Sequence, residues 1–203
     1  MTFHSHCDGL ITQKKPNAGF QRYATTREIL VSAIPDNLPF ANAAVLPLSV
    51  STAASALFHY LDLPYPSVNP KPTGKSILIW GGSSSVGSSA VQLARAAGLE
   101  VVATAGSANI EYVKSLGASH VFDHKDPDVV GKILGVLKDG DFVFDTISSQ
   151  STQLASAGIL GKLGGGKFPI TLPPVSGLPD NVEGVFGMYS LDKLMVCCLR
   201  VDS

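Results

Sequence analysis

A stretch of small residues at positions 80–89 has the composition that close approach to a phosphate group requires. It reads Trp-Gly-Gly-Ser-Ser-Ser-Val-Gly-Ser-Ser and stands between a short apolar run and a helix-forming segment. Small side chains let the backbone approach a phosphate, and the free N–H groups at a helix N-terminus point toward a bound anion. The sequence therefore predicts a phosphate-binding turn, with the candidate residues Gly82, Ser83, Ser84, Ser85, Val86 and Gly87.

Three classes of site share this strand–turn–helix arrangement. A nucleoside-triphosphate loop has the right glycine spacing, but Ser88 occupies the position of the lysine that reaches the phosphates. A hydrolase nucleophile elbow requires glycine where Val86 stands. A dinucleotide fingerprint fits at Gly82 and Gly87 and departs at Ser84, a small residue in place of the middle glycine. The pattern favours dinucleotide binding, and a Gly/Ser-rich turn that binds nothing remains the alternative.

The residues after the second predicted strand bear on which dinucleotide is bound. NAD is held by a carboxylate that binds the ribose 2′-hydroxyl at this place. No Asp or Glu occurs at positions 101–110, and Glu100 stands at the opposite end of the strand. Instead, Gly106, Ser107 and Asn109 offer donors suited to a 2′-phosphate. The sequence therefore predicts NADP, while capping of the next helix is an alternative role for Ser107 and Asn109.

Apolar runs and helical segments alternate through the second part of the chain. Strands are predicted at 75–80, 100–105, 120–123, 141–147, 167–173 and 182–189, and helices at 88–97, 109–116, 127–138 and 150–163. This alternation is typical of βαβ units, in which helices cover both faces of a parallel sheet. Burial of both faces accounts for a charged fraction of only 15%. The predicted fold class is α/β, with a doubly wound parallel sheet.

The first part of the chain is less regular. Two strand-like runs are predicted at 20–23 and 29–34, followed by a turn in which Asn37 is a plausible helix cap. A helix is predicted at 40–61, broken at Pro47 and buried rather than spanning a membrane. Four prolines within residues 64–74 predict a linker.

Composition excludes several classes of function. With 15 Lys and Arg against 16 Asp and Glu, the chain lacks the basic face that nucleic acid or an anionic membrane surface would require. Cys7, Cys197 and Cys198 do not form a disulfide framework, so reduced thiols are expected. His4, His6 and Cys7 near the terminus do not make a convincing metal site, and no metal is expected. No secretory signal precedes the fold, which favours a cytoplasmic protein.

Several motifs, taken in order, resemble one known family. They are Ala-Gly-Phe-Gln-Arg-Tyr-Ala from position 18, Ile-Pro-Asp-Asn-Leu-Pro-Phe-Ala-Asn-Ala-Ala from position 34, the phosphate turn, Val-Gln-Leu-Ala-Arg-Ala-Ala-Gly from position 91, and Lys-Ser-Leu-Gly-Ala-Ser-His-Val-Phe-Asp-His from position 114. The chain resembles a zinc-independent medium-chain dehydrogenase/reductase of the quinone oxidoreductase type. Within that family it is similar to the fungal trans-acting enoyl reductases of polyketide pathways.

The resemblance implies a Rossmann-like doubly wound sheet with a remnant of an N-terminal GroES-like β domain. On this basis residues 1–39 are the remnant, 40–74 are connecting helices and linker, 75–190 are the NADP-binding domain and 191–203 are an unassigned tail. The family's barrel domain and its closing segment have no full counterpart here, so the chain is expected to be truncated at both ends.

The resemblance also implies roles for single residues. Ser83, Ser84, Ser85 and Val86 correspond to the diphosphate turn, and Gly106, Ser107 and Asn109 to the 2′-phosphate pocket. His124 stands where a cofactor-contacting tyrosine is frequent, Ile147 and Ser148 line the nicotinamide edge, and Ser51 and Thr52 approach the substrate. For Thr52, a hydrogen bond back into its own helix is an equal alternative. No proton donor is assigned.

Two functions follow from these expectations. The first is an NADPH-dependent reductase that transfers hydride to an activated C=C or C=O bond of a small molecule in secondary metabolism. The second is a non-catalytic NADP-binding fragment that acts as a partner or regulator of a full-length homologue or a polyketide synthase. Neither involves nucleic acid or a membrane, and the oligomeric state is not predicted.

Overall fold

Four parallel strands form the centre of the molecule. The structure, a computed structural model, describes residues 2–5, 7 and 9–186. The strands β3 (Ser76–Trp80), β4 (Glu100–Ala105), β5 (His120–Asp123) and β6 (Phe142–Asp145) lie in the order β5-β4-β3-β6. The predicted tail at 191–203, the end of the sixth predicted strand and the two C-terminal cysteines lie outside the described residues.

Two further strands extend this arrangement. Strand β7 (Gly166–Pro169) pairs in parallel with β8 (Val182–Val185), and a parallel bridge between Asp145 and Ile170 joins it to the edge of β6. The order across all six strands is β5-β4-β3-β6-β7-β8. This is the order of a doubly wound, Rossmann-like sheet, and the predicted fold class is confirmed.

Helices cover both faces of the sheet. On one face lie α4 (Ser85–Ala96) and α5 (Ile110–Ser115), and on the other lie α6 (Val129–Leu134) and α7 (Gln150–Lys162). Alternate residues of β3 enter the two cores, with Ile77 and Ile79 on the first face and Leu78 and Trp80 on the second. All of β3 is buried, as expected for a central parallel strand.

Two helix boundaries differ from the prediction for local reasons. Helix α4 begins at Ser85 rather than three residues later, because Ser84 caps it by accepting from the backbone N–H of Gly87. Helix α6 spans only Val129–Leu134, so the predicted bounds of 127–138 are wrong and Pro127 precedes the helix. The preceding residues form a turn in which the carboxylate of Asp126 accepts from the N–H of Asp128.

The N-terminal region contains one small sheet. Strand β1 (Thr2–Ser5) pairs antiparallel with β2 (Val31–Ile34), next to the short helix α1 (Gly9–Thr12) and 3₁₀ turns at Lys15–Asn17 and Glu28–Leu30. The predicted strand at 20–23 is wrong, because these residues form bends whose side chains are exposed. The amide of Gln21 donates to three carbonyls of residues 15–18 and so stabilises a local turn instead.

The predicted helix at 40–61 is divided into three parts. These are α2 (Phe40–Ala44), α3 (Leu46–Ala54) and a π-helical turn (Ser55–Tyr60). Pro47 lies in the first turn of α3, where its missing N–H has no acceptor to lose, and the break precedes it at Val45. Asn37 does not cap α2, because Pro39 occupies the cap position and provides no side-chain hydrogen bond.

The stretch Phe40–Tyr60 is long and apolar enough, by length and composition alone, to cross a membrane. In its most apolar window, of mean hydropathy 1.4, 39% of the residues are buried. The buried part, which includes Ala53 and Leu57, packs in the core beside α4, so the predicted burial holds for that part. Phe40, Val45 and Leu48 are exposed. Residues 64–74 contain no helix or strand, and the domain boundaries proposed from the sequence remain predictions.

Candidate functional site

The carboxyl end of the sheet brings together the loops that the sequence singled out. Because β3, β4, β5 and β6 are parallel, the turn after β3, the loops after β4 and β5 and the turn after β6 all emerge at one edge. Between β3 and β6 the chain changes direction across the sheet, since β4 and β5 lie on one side of β3 and β6 lies on the other. Ligands of doubly wound sheets bind at this switch point.

The turn after β3, residues 81–84, requires glycine for two reasons. Gly81 adopts a φ of +85°, which side chains with a Cβ rarely adopt, and a Cβ there would lie 2.5 Å from Cγ1 of Ile147. A Cβ on Gly87, in the first turn of α4, would lie 2.1 Å from the carbonyl oxygen of Gly81. The turn and the helix are therefore packed backbone against backbone, with no room for a larger residue.

Three backbone donors at the start of α4 have no acceptor among the described residues. The N–H groups of Ser83, Ser85 and Val86 make no hydrogen bond to the described residues, whereas those of Ser84 and Gly87 are satisfied within the turn. Unpaired N–H groups at the N-terminus of a helix stabilise a bound anion, and the helix dipole adds to this effect. The arrangement can hold the diphosphate of a dinucleotide.

Hydrogen bonds fix this turn to both neighbouring strands. The N–H of Gly81 donates to the Thr104 hydroxyl over 3.0 Å, and that of Gly82 donates to the Thr104 carbonyl over 2.8 Å. On the other side, the hydroxyls of Ser84 and Thr146 lie 3.0 Å apart. Sequence reasoning missed both threonines, although each is a polar residue at or just beyond the end of a buried strand. That position is the signal that could have found them.

The turn after β6 is held by a buried carboxylate. One oxygen of Asp145 accepts from the N–H groups of Ile147 and Ser148, both over 2.9 Å, and Ser148 adopts a φ of 56°. The other oxygen has no hydrogen-bond partner among the described residues, and the nearby Thr152 hydroxyl gives its own proton to the Ser149 carbonyl. Burial raises the pKa of Asp145, and the hydrogen bonds from the N–H groups of Ser148 and Ile147 oppose that effect in part.

Ile147 and Ser148, both expected at the nicotinamide edge, differ in exposure. Ile147 is 43% exposed and lies against Gly81, so it stands beside the phosphate turn. Ser148 is 2% exposed, and its hydroxyl donates to the Asp145 carbonyl and accepts from the N–H of Thr171. Contact of Ser148 with a cofactor stays a prediction, and its hydroxyl already joins the turn to the chain beyond β7.

The loop after β4 presents unoccupied polar groups. Residues Ser107–Asn109 form a 3₁₀ turn, and the exposed side chains of Ser107 and Asn109 make no hydrogen bond to the described residues. Asn109 stands at the cap position of α5 without a side-chain capping bond, so the alternative role in capping is not observed. The ring of His124 lies beside Gly106, where a Cβ would be 3.7 Å from its Cε1, and its Nδ1 is 3.8 Å from Asp123.

Ser51 and Thr52 lie on α3, which packs against α4. Each hydroxyl donates to the Leu48 carbonyl, over 3.1 Å for Ser51 and 2.7 Å for Thr52. The alternative expected for Thr52, a bond back into its own helix, is present. An approach of either residue to substrate stays a prediction.

The described residues contain no group of three or more His, Cys, Asp and Glu side chains that could hold a metal ion. A zinc site therefore does not fit the donor set of this part of the chain.

Comparisons with known proteins agree with this fold. The family described as Zinc-binding dehydrogenase matches residues 85–168. The trans-enoyl reductase himH of Aspergillus japonicus is 61% identical over 193 residues, which are 92% of this chain and 56% of that protein. The chain belongs to the medium-chain dehydrogenase/reductase family, and it spans about half the length of the curated relatives it matches.

Solved structures are similar in fold. The crystal structure of CurK enoyl reductase has a TM-score of 0.60 and 25% identity, covering 85% of this chain and 46% of that one. An alcohol dehydrogenase superfamily protein from Novosphingobium aromaticivorans has a TM-score of 0.62 and 26% identity, covering 85% of this chain and 50% of its own. The similarity therefore extends beyond the region that the family description matches.

Proposed function

We propose that the chain is the cofactor-binding part of an NADPH-dependent oxidoreductase, which transfers hydride to an activated C=C or C=O bond of a small molecule. The observation that carries the proposal is the set of three unpaired N–H groups at the start of α4, located at the switch point of the sheet. When bound, NADPH would supply the hydride. The chain's own residues bind and orient the cofactor.

The turn after β3 and the turn after β6 would contact different parts of the cofactor. The N–H groups of Ser83, Ser85 and Val86 would hold the diphosphate. The exposed side chain of Ile147 would pack against the nicotinamide and limit the access of water on that side. Because Asp145 fixes the turn that carries Ile147, it acts on the cofactor only through that turn.

The preference for NADP rests on the loop after β4. A carboxylate at this loop would repel a 2′-phosphate, and none occurs at positions 101–110. The unengaged side chains of Ser107 and Asn109 can donate hydrogen bonds to a 2′-phosphate, and His124 lies beside Gly106. Lys114 pairs with Glu111 over 2.8 Å, so its charge is already partly engaged.

The reaction class comes from the relatives. The match to a fungal trans-enoyl reductase supports reduction of an enoyl group. We add to the proposal a role in secondary metabolism, a polyketide synthase as partner and a cytoplasmic location, which rest on the sequence resemblance described above. A second candidate is a fragment that binds NADP without catalysis and associates with a full-length homologue. The exposed apolar side chains of Phe40, Val45 and Leu48 favour it, since such a surface is typical of an interaction site.

The first test is titration of the chain with NADPH and NADH, followed by nucleotide fluorescence and melting temperature. Ligand at 100 times its Kd should stabilise the fold by about 2.7 kcal/mol. A larger shift with NADPH than with NADH supports the 2′-phosphate pocket, and no shift with either contradicts the proposal. Oxidation of NADPH by enals or quinones then distinguishes the reductase from the non-catalytic fragment.

A variant tests the cofactor preference directly. Ser107→Asp places a carboxylate beside the proposed 2′-phosphate and should lower the ratio of NADPH to NADH affinity by about tenfold, since two like charges at short range cost about 1–4 kcal/mol in this environment. Ser119→Asp adds the same charge at the amino end of the sheet and is the matched control. An unchanged ratio in Ser107→Asp would contradict the assignment of this loop.

A further inference from the structure

A chain of hydrogen bonds crosses the candidate site from α4 to β3 through two side chains. The hydroxyl of Thr146 lies 2.7 Å from the carbonyl oxygen of Trp80 and 3.0 Å from the hydroxyl of Ser84. The hydroxyl of Ser84 in turn lies 2.9 Å from the backbone nitrogen of Gly87. Because each hydroxyl has only one proton to donate, its contacts determine which atom is the donor in each bond.

The partners at both ends set that direction. A carbonyl oxygen only accepts, so the proton of Thr146 goes to Trp80, whose oxygen is nearer than that of Gly81 at 3.2 Å. The 3.0 Å contact between the hydroxyls then requires Ser84 to donate to Thr146. Ser84 accepts from the N–H of Gly87, so each hydroxyl donates once and accepts once along the chain.

We infer that Ser84 and Thr146 are positioning residues for the dinucleotide, an inference that rests on the proposed function. The proton of Ser84 is committed to Thr146, so Ser84 does not donate to the phosphate as its place in the motif suggests. Instead, the pair holds the diphosphate turn at a fixed distance from the turn after β6, which carries Ile147. Serine takes the place of the middle glycine because glycine there would remove both the helix cap and this link.

Side-chain contacts around the pair support a positioning role. Thr146 is 7% exposed and directly follows Asp145, which fixes the turn leading to Ile147. Ile147 packs against Gly81, so the two turns meet at a second point. A shift of the phosphate turn relative to β6 would therefore change both the donors for the diphosphate and the edge that faces the nicotinamide.

The test measures binding of NADPH and of 2′-AMP, which has the 2′-phosphate but no phosphate at the 5′ position. Thr146→Val keeps the shape and removes the hydroxyl, and Ser84→Ala removes the other partner. Each should weaken NADPH binding by about tenfold, the effect expected from loss of one hydrogen bond, while affinity for 2′-AMP changes by less than about twofold. Thr146→Ser retains the hydroxyl and should restore NADPH binding.

Ser89→Ala is the matched control, because the Ser89 hydroxyl donates only to a carbonyl of its own helix. The double variant Ser84→Ala/Thr146→Val should bind NADPH no more weakly than the weaker single variant, since both remove the same link. If Thr146→Val does not fold, the comparison of Ser84→Ala with Thr146→Ser decides.

Two results would overturn the inference: unchanged NADPH affinity in Ser84→Ala, or an equal loss of affinity for 2′-AMP, which would indicate general damage to the fold. Absence of NADPH binding by the unmodified chain would instead overturn the proposed function itself.

Discussion

At the scale of single residues, the space around one backbone atom decides whether the phosphate turn can form. Gly87→Ala would place a Cβ 2.1 Å from the carbonyl oxygen of Gly81, so the turn must shift away from α4. We expect affinity for NADPH to fall by at least about tenfold, because the N–H groups then no longer converge on one anion. The measurement is a fluorescence titration of the folded variant.

Gly158→Ala is the control for this substitution. Gly158 also lies in a helix, α7, but a Cβ there meets no atom within 4 Å. Alanine should stabilise α7 by up to about 1 kcal/mol and leave nucleotide affinity unchanged. Equal binding by the Gly87→Ala variant and the unmodified chain would show that the anion does not bind at this turn.

The buried carboxylate of Asp145 predicts a particular dependence of stability on pH. Because burial raises its pKa in the folded state above the ordinary value of 3.8, the folded chain binds the proton more tightly than the unfolded chain. The contribution of Asp145 to the free energy of unfolding is therefore full below pH 3.8. It decreases as the pH rises from there through the pKa of the folded state.

Asp145→Asn isolates this contribution, since its amide oxygen can still accept from the N–H groups of Ile147 and Ser148. Urea unfolding at several pH values should show the unmodified chain losing stability relative to the variant as pH rises above 3.8. A difference that is constant with pH would mean that Asp145 has an ordinary pKa.

At the scale of elements, one side chain joins the amino ends of two strands. The carboxylate of Asp141 accepts from the N–H of Ser76 at the start of β3 and from that of Lys138, both over 2.8 Å, and it is 5% exposed. Asp141→Ala leaves both donors without a partner, so the free energy of unfolding should fall by about 2–4 kcal/mol. Asp139→Ala, at an exposed neighbour, should change it by less than about 0.5 kcal/mol.

Urea unfolding of both variants at pH 7 measures the two values. Since Asp141 lies at the opposite end of the sheet from the phosphate turn, nucleotide affinity of its folded variant should remain unchanged. A small effect on stability would mean that water replaces the carboxylate at these two donors.

Elements with a strong local signal were predictable from the sequence. Strands β4 and β5 begin and end where the sequence predicted, because each is a short run with apolar residues that is bounded by turn residues. Strand β1 was missed, since its pairing with β2 depends on residues about thirty positions away. The run at 20–23 has apolar residues but no partner strand among the described residues, so composition alone was misleading there.

The sequence predicted where the backbone of the candidate site lies better than it predicted which side chains contact each other. The strand–turn–helix pattern located the turn at residues 81–84 correctly between β3 and α4, and its binding of phosphate stays a prediction. The pairing of Ser84 with Thr146 joins residues 62 positions apart, which only the three-dimensional order of β3 and β6 reveals. The burial of Ser148 likewise depends on Thr171, beyond another helix and strand.

At the scale of the whole molecule, the two ends of the sheet differ in what their polar groups do. At the amino end, both oxygens of Asp141 are paired with backbone donors. At the carboxyl end, backbone donors of the phosphate turn and side chains of the loop after β4 have no partner in the part of the chain that the structure describes. In this sheet, the polar groups that are free to bind a ligand therefore lie at the carboxyl end.

This asymmetry predicts where a bound cofactor protects the chain. With NADPH at saturation, amide hydrogen exchange should slow at residues 81–88, 105–109 and 145–149, because the ligand occupies their donors and holds the two turns together. Exchange at 70–76 and 138–141, at the amino end, should change only as far as the whole fold is stabilised, by about 2.7 kcal/mol at 100 times the Kd. NADH should protect 81–88 and 145–149 but leave 105–109 less protected, since it lacks the 2′-phosphate. Protection that is strongest at the amino end would place the nucleotide elsewhere, and equal protection of 105–109 by both nucleotides would show that the loop after β4 does not distinguish them.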